Sequence, residues 1–154
     1  MKRNVLFFMI LVTGILICSR QLSAQTYKAD DVKGIWLNEE KDAKVEIFKS
    51  GDMFFGKIVW LDEPNETDGR AKVDDKNPEV SLQTRPVMGL ELLKDFIYNG
   101  ENKWEDGTIY DPKNGKTYKC IITIVNPDLL HIRGYIGRAW MGLGRTTEWM
   151  RTSL

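Results

Sequence analysis

The strongest constraint on this chain is its punctuation. Short stretches rich in β-branched and aromatic residues alternate with clusters of Gly, Asn, Asp and Pro, and helical periodicity is nearly absent. Strands are predicted over 33–38, 43–49, 53–61, 87–94, 104–110, 116–125, 129–137 and 144–152. The links Lys49-Ser50-Gly51-Asp52, Asp111-Pro112-Lys113-Asn114-Gly115 and Asn126-Pro127-Asp128 are short and turn-forming, which makes the joined strands antiparallel hairpins. Eight such strands, with no amphipathic helix between them, predict an all-β, antiparallel up-and-down meander that closes on itself as a barrel. Closure leaves no exposed edge.

The N-terminus stands apart from this pattern. Lys2 and Arg3 precede an apolar run from Val5 to Ile17, and polar residues then lead to Ser23 and Ala24. This is the layout of a secretory leader, and a run of 13 residues falls short of the ~20 needed to span a membrane. The expected organisation is a signal peptide over 1–24, cut near Ala24, and one barrel domain over 25–154. The product is expected in the periplasm or secreted, with no membrane span. Cys18 raises the alternative of lipid attachment, but Ile17 stands where such a site wants a small residue. Removing the leader leaves 19 basic against 22 acidic residues. A mildly acidic chain without a basic stripe does not fit nucleic-acid binding. Cys120 is then the lone cysteine, so no intramolecular disulfide forms, and its place among apolar residues predicts an inert, buried thiol.

The connection 62–86 breaks the rhythm of short turns. It holds seven acids and three prolines, and reads either as a solvated crossing loop or as a lid over a barrel mouth. A calcium loop does not fit, because its first ligand would fall on Pro64. Enzyme chemistry finds little support. His131 is the single histidine, no Gly-x-Ser-x-Gly occurs, and zinc would want more His or Cys ligands than the chain holds. Neither metal nor cofactor is expected; a hydrolase built on paired carboxylates stays open as a lesser alternative.

Gly34-Ile35-Trp36 at the first strand and Gly144-Arg145-Thr146 with Trp149 at the last resemble the start-and-finish signature of lipocalin-like (calycin) barrels. In such a barrel these strands are neighbours. Trp36 is expected to stack against the guanidinium of Arg145, with Gly34 allowing close approach. A broader set of motifs adds Gly56-Lys57-Ile58-Val59-Trp60-Leu61, Asn77-Pro78, Gly107-Thr108-Ile109-Tyr110-Asp111-Pro112, Gly115-Lys116-Thr117-Tyr118 and Arg133-Gly134-Tyr135-Ile136-Gly137. In combination they resemble the Domain of Unknown Function 2147 family of small exported bacterial proteins. The resemblance implies an exported β-barrel and brings no activity with it.

Two readings of function follow. In the first, the barrel takes a small, partly apolar or amphipathic molecule into its mouth, with Trp60, Arg85, Tyr110, Asp111 and Tyr118 as candidate contacts. In the second, the barrel is filled and its surface binds another envelope protein. Phe54, Ile58 and Trp60 are expected on the inner face of the third strand, beside Tyr118, Cys120, Ile122 and Ile124 of the sixth. Interior volume separates the readings, since ligand sites in barrels are hollows of roughly 300 Å³ or more.

Overall fold

The computed structural model describes residues 26–154; the expected leader, its cut near Ala24 and Cys18 lie outside them. Eight strands run in chain order: β1 Gly34–Leu37, β2 Ala43–Ser50, β3 Met53–Leu61, β4 Glu91–Tyr98, β5 Lys103–Asp111, β6 Lys116–Asn126, β7 Leu129–Tyr135 and β8 Gly144–Thr152. Each is antiparallel to the next, and β8 returns to pair with β1, closing the barrel. Seven strands fall where the residue pattern predicts them, within a few residues at each end. β4 begins four residues later than expected. Val87 and Gly89 are spent on the approach, where the Gly89 N–H donates to the Ile58 carbonyl and the Ile58 N–H to that of Leu90. β4 also runs on through Asp95, which interrupts the alternation of faces by adopting a left-handed φ of 63°. Asp tolerates that region better than most residues, so a local irregularity takes the place of a strand end.

The two ends of the barrel differ. At one end, Trp36, Phe54, Phe96, Trp104, Ile124 and Leu130 are fully buried. Gly107 makes this packing feasible: the Phe96 ring lies where its Cβ would be. A short 3-10 turn, Ala29–Val32, plugs the same end. It gives both buried indoles a hydrogen-bond partner, since Trp36 Nε1 donates to the Val32 carbonyl at 2.9 Å and Trp104 Nε1 to that of Ala29 at 3.2 Å. An indole N–H left unpaired in this core would be costly.

Arg151 seals the seam beneath. Its guanidinium carbon lies 4.1 Å from the Trp36 ring centroid, and its three nitrogens donate to the carbonyls of Asp31, Lys33 and Pro127 at 2.7 to 2.9 Å. Gly34, at φ +138°, leaves the room: a Cβ there would stand 2.5 Å from Arg151 Nη1. The opposite end carries the longer connections, β1 to β2, β3 to β4 and β7 to β8, together with the β5–β6 turn.

Candidate functional site

These four connections form the rim of a hollow of about 1100 Å³ that occupies the unplugged half of the barrel. Its wall is apolar, with Val45, Ile58, Leu92, Ile109 and Ile132 from five strands and Trp149 toward the filled half. Val45, Ile58, Leu92, Ile109, Ile132 and Gly134 stand here in place of the close-packed Trp36, Phe54, Phe96 and Trp104 of the plugged end, and the difference in side-chain volume leaves the space. The rim is charged. Arg145 donates to Glu39 at 2.9 Å, and the Arg145 hydrogen bond holds the Glu39 carboxyl below its ordinary range. Lys113 bridges Glu40 and Asp42, standing 2.7 Å from the latter. Partial burial works against the charged form of Asp42, but hydrogen bonds from Lys113 and Asn38 outweigh it and its carboxyl stays low. These ion pairs fasten the β1–β2 connection to the β5–β6 turn and to β8.

The connection 62–86 is neither merely solvated nor structureless. Bridges join Asn65 to Ala71 and Val73 to Pro86, and a 3-10 turn spans Val80–Leu82. At its centre Asp74 is fully buried. Asp74 Oδ2 accepts from Arg85 Nε at 2.9 Å and Asn77 Nδ2 at 2.7 Å, while Oδ1 accepts from the Tyr110 hydroxyl at 2.5 Å. Asn77 Nδ2 also lies 3.1 Å from the Tyr110 hydroxyl, and the Arg85 guanidinium lies 5.6 Å from the Tyr110 ring centroid. The buried carboxylate therefore has its partners, as it must, and one of them is a side chain of β5. Burial, reinforced by the neighbouring Asp74 carboxylate, pushes the Tyr110 phenol up to about 12. The network pins the long connection to the barrel wall and sets one side of the mouth.

The structure separates the residues that the sequence grouped as contacts. Tyr110, Asp111 and Tyr118 do line the hollow. Asp111 is occupied as a turn residue, accepting from the Lys113 N–H at 2.9 Å and Asn114 Nδ2 at 2.7 Å; that same amide reaches the Tyr118 hydroxyl at 3.2 Å. Trp60 points elsewhere. Val45 pairs with Ile58 but Lys44 pairs with Trp60, so Val59 is an extra residue in β3. Such a bulge reverses the faces of everything beyond it. Trp60 stands outside under Lys44 Nζ, 5.2 Å from the ring centroid, and Leu61 takes the inward place. Arg85 faces Asp74 of its own connection rather than the hollow.

The expected pairing of Trp36 with Arg145 is also corrected. The strands are neighbours, but they are antiparallel, so the start of β1 meets the end of β8, and Trp36 lies opposite Arg151. Arg145 sits at the rim with Glu39, opposite Gly134 of β7. Strand direction favours an arginine late in β8, but the register that sets Arg151 opposite Trp36 is a property of the closed sheet. Asp74 carried no signal, because only burial distinguishes it from its six acidic neighbours, and Asn77 was marked only by the Asn77-Pro78 motif, which says nothing of its partners. His131 stands on the outer wall, its Nε2 3.3 Å from Glu148 Oε1.

Comparison with solved structures places beside this chain a protein described as HP1028 from the human pathogen Helicobacter pylori, which belongs to the lipocalin family. The two superpose with a TM-score of 0.68 at 28% identity, over 79% of this chain and 82% of the other. No curated protein matches the chain. Residues 34–151, from the glycine that admits Arg151 to Arg151 itself, match the family described as uncharacterized protein conserved in bacteria (DUF2147), and the chain belongs to that family.

Proposed function

We propose that this protein binds a small, partly apolar molecule inside the barrel, through the end rimmed by residues 38–42, 62–90, 112–115 and 136–143. The hollow of about 1100 Å³ carries this reading. Pockets of roughly 300–1,000 Å³ with apolar walls and a few polar groups are the usual form of small-molecule sites. The likeness to a lipocalin-family barrel supports it, and the hollow favours it over a filled barrel serving only as an interaction module. Tyr110, Tyr118 and the rim ion pairs supply polar groups for the exposed end of such a ligand. The leader-like residues 1–24 support a place of action in the periplasm or outside the cell.

The test is uptake of the neutral fluorophore N-phenylnaphthylamine. Gly134 faces the hollow, and a Cβ there meets nothing nearer than Ile109 at 3.6 Å, so Gly134→Phe puts a ring into the cavity without a backbone clash. Saturable binding by the wild type, lost in Gly134→Phe and weakened in Thr147→Phe at unchanged melting temperature, is expected. Absence of saturable binding in the wild type, or full binding in both folded variants, would overturn the proposal. N-terminal sequencing of protein from the envelope fraction tests export, with cleavage near Ala24 expected.

A further inference from the structure

Two of the four connections at the mouth, 38–42 and 62–90, are rich in acids; the β5–β6 turn has Asp111 at its edge, and the connection between β7 and β8 has no acid in it or beside it. From Leu129 to Thr147 there is no acidic residue, and three arginines, Arg133, Arg138 and Arg145, occur. Within this stretch Ile136, Trp140, Met141 and Leu143 are 64%, 77%, 49% and 60% exposed. They are not loose. Gly137 and Gly142 turn the chain with φ of +77° and +74°, and the short 3-10 turn Ala139–Met141 lies between them. Arg133 Nη2 donates to the Ala139 carbonyl at 3.1 Å, and the Ile136 N–H to that of Leu143 at 2.9 Å. The fold thus holds four large apolar side chains out in water, on one connection, beside an exposed Arg138.

Large apolar side chains left this exposed on one connection, with Trp140 lying over the outer wall near Thr123 and His131, mark a surface that something covers. We propose that this connection docks the protein onto a lipid bilayer bearing anionic headgroups. Tryptophan favours the headgroup boundary, where its ring is apolar and its N–H is wet, while Ile, Met and Leu tips reach the acyl region. Arg138 meets phosphate there, and the absence of any acid from 129 to 147 removes local repulsion. The acids of 38–42 and 62–90 keep those parts of the rim away from an anionic surface, so docking rests on the β7–β8 connection and is salt-sensitive. Ile136 and Leu143 belong both to the exposed connection and to the lining of the hollow, which makes an apolar path from bilayer to cavity. Docking nevertheless rests on the tip, independent of what the cavity holds.

Flotation with phosphatidylglycerol–phosphatidylcholine vesicles, and with phosphatidylcholine alone, tests this. Wild type and variants must share one sequenced N-terminus, so that no leader contributes to binding. Wild type is expected to float with the anionic vesicles, and less with neutral ones. The double substitution Trp140→Ser, Met141→Ser should weaken partitioning about tenfold or more, as expected for removing two large apolar contacts. Its melting curve should not move, since both side chains are exposed. Arg138→Glu should lower binding to anionic vesicles while leaving binding to neutral ones unchanged. Wild type that fails to float, or a double variant that floats equally well, overturns the proposal. So does a wild-type dimer that Trp140→Ser disperses, because a second copy would then be what covers the tip. Protein that floats yet takes up no N-phenylnaphthylamine supports docking and removes the cavity reading instead.

Discussion

Replacing Asp74 with alanine is the perturbation with the largest expected consequence outside the aromatic core. Asp74 is fully buried and receives hydrogen bonds from Arg85, Asn77 and Tyr110, on two parts of the chain. Its removal leaves a guanidinium without its counter-ion, and an amide and a phenol without their acceptor. Breaking a buried ion pair on one side costs ~3–5 kcal/mol. Arg85 is one-third exposed and can recover some hydration, which places the expected loss near the lower bound, about 3 kcal/mol. For a domain of this size that corresponds to a melting temperature roughly 10 °C lower. The loss should be felt first in the long connection, where the Asp74 N–H donates to the Arg85 carbonyl and the Val87 N–H to that of Lys72. Hydrogen exchange of those amides, read alongside denaturant unfolding, is the assay. Asp74→Asn keeps the volume and loses the charge, and should fall between wild type and alanine. If Asp74→Ala lies within about 1 kcal/mol of wild type, with exchange over 72–87 unchanged, the reasoning that this carboxylate organises the mouth is refuted.

Arg151→Ala should cost about 2 kcal/mol in denaturant unfolding, because it frees three carbonyls and uncovers Trp36; Arg151→Lys should recover only part, since an ammonium cannot span the three acceptors. Arg145→Ala should cost much less, as its pairing with Glu39 is exposed. Equal losses at the two arginines would contradict the assignment of the seam to Arg151. Burial raises the Cys120 thiol to about 12, so alkylation should be negligible in the folded protein and rapid after denaturation. Tyr110 also titrates higher in the fold than its ordinary 10.0, at about 12; the neutral phenol is the form the fold favours. Its contribution to stability is therefore complete below pH 10 and lost as pH rises toward 12, and Tyr110→Phe should flatten that part of the alkaline unfolding curve. A Phe variant with an unaltered alkaline limb would contradict the raised phenol.

Taken alone, the sequence determined the architecture. Period-two apolar alternation and turn chemistry are local properties, and a run such as Tyr118, Cys120, Ile122, Ile124 between two turn clusters admits few alternatives to a strand of a closed meander. It also determined that a tryptophan near the chain's start would be covered by an arginine from its last strand. Tertiary structure decided which arginine, because register and direction select Arg151 over Arg145 across strands that are more than a hundred residues apart. It decided the face of Trp60, since one extra residue in β3 inverts every side chain beyond it and leaves no local mark on composition. It gave Asp74 its place among seven acids of one connection, because burial and a phenol from a distant strand are not properties of the segment that carries them. The hollow itself is a sum over inward side chains from seven strands, and a deficit of volume spread that widely is visible only once the strands are set in a ring.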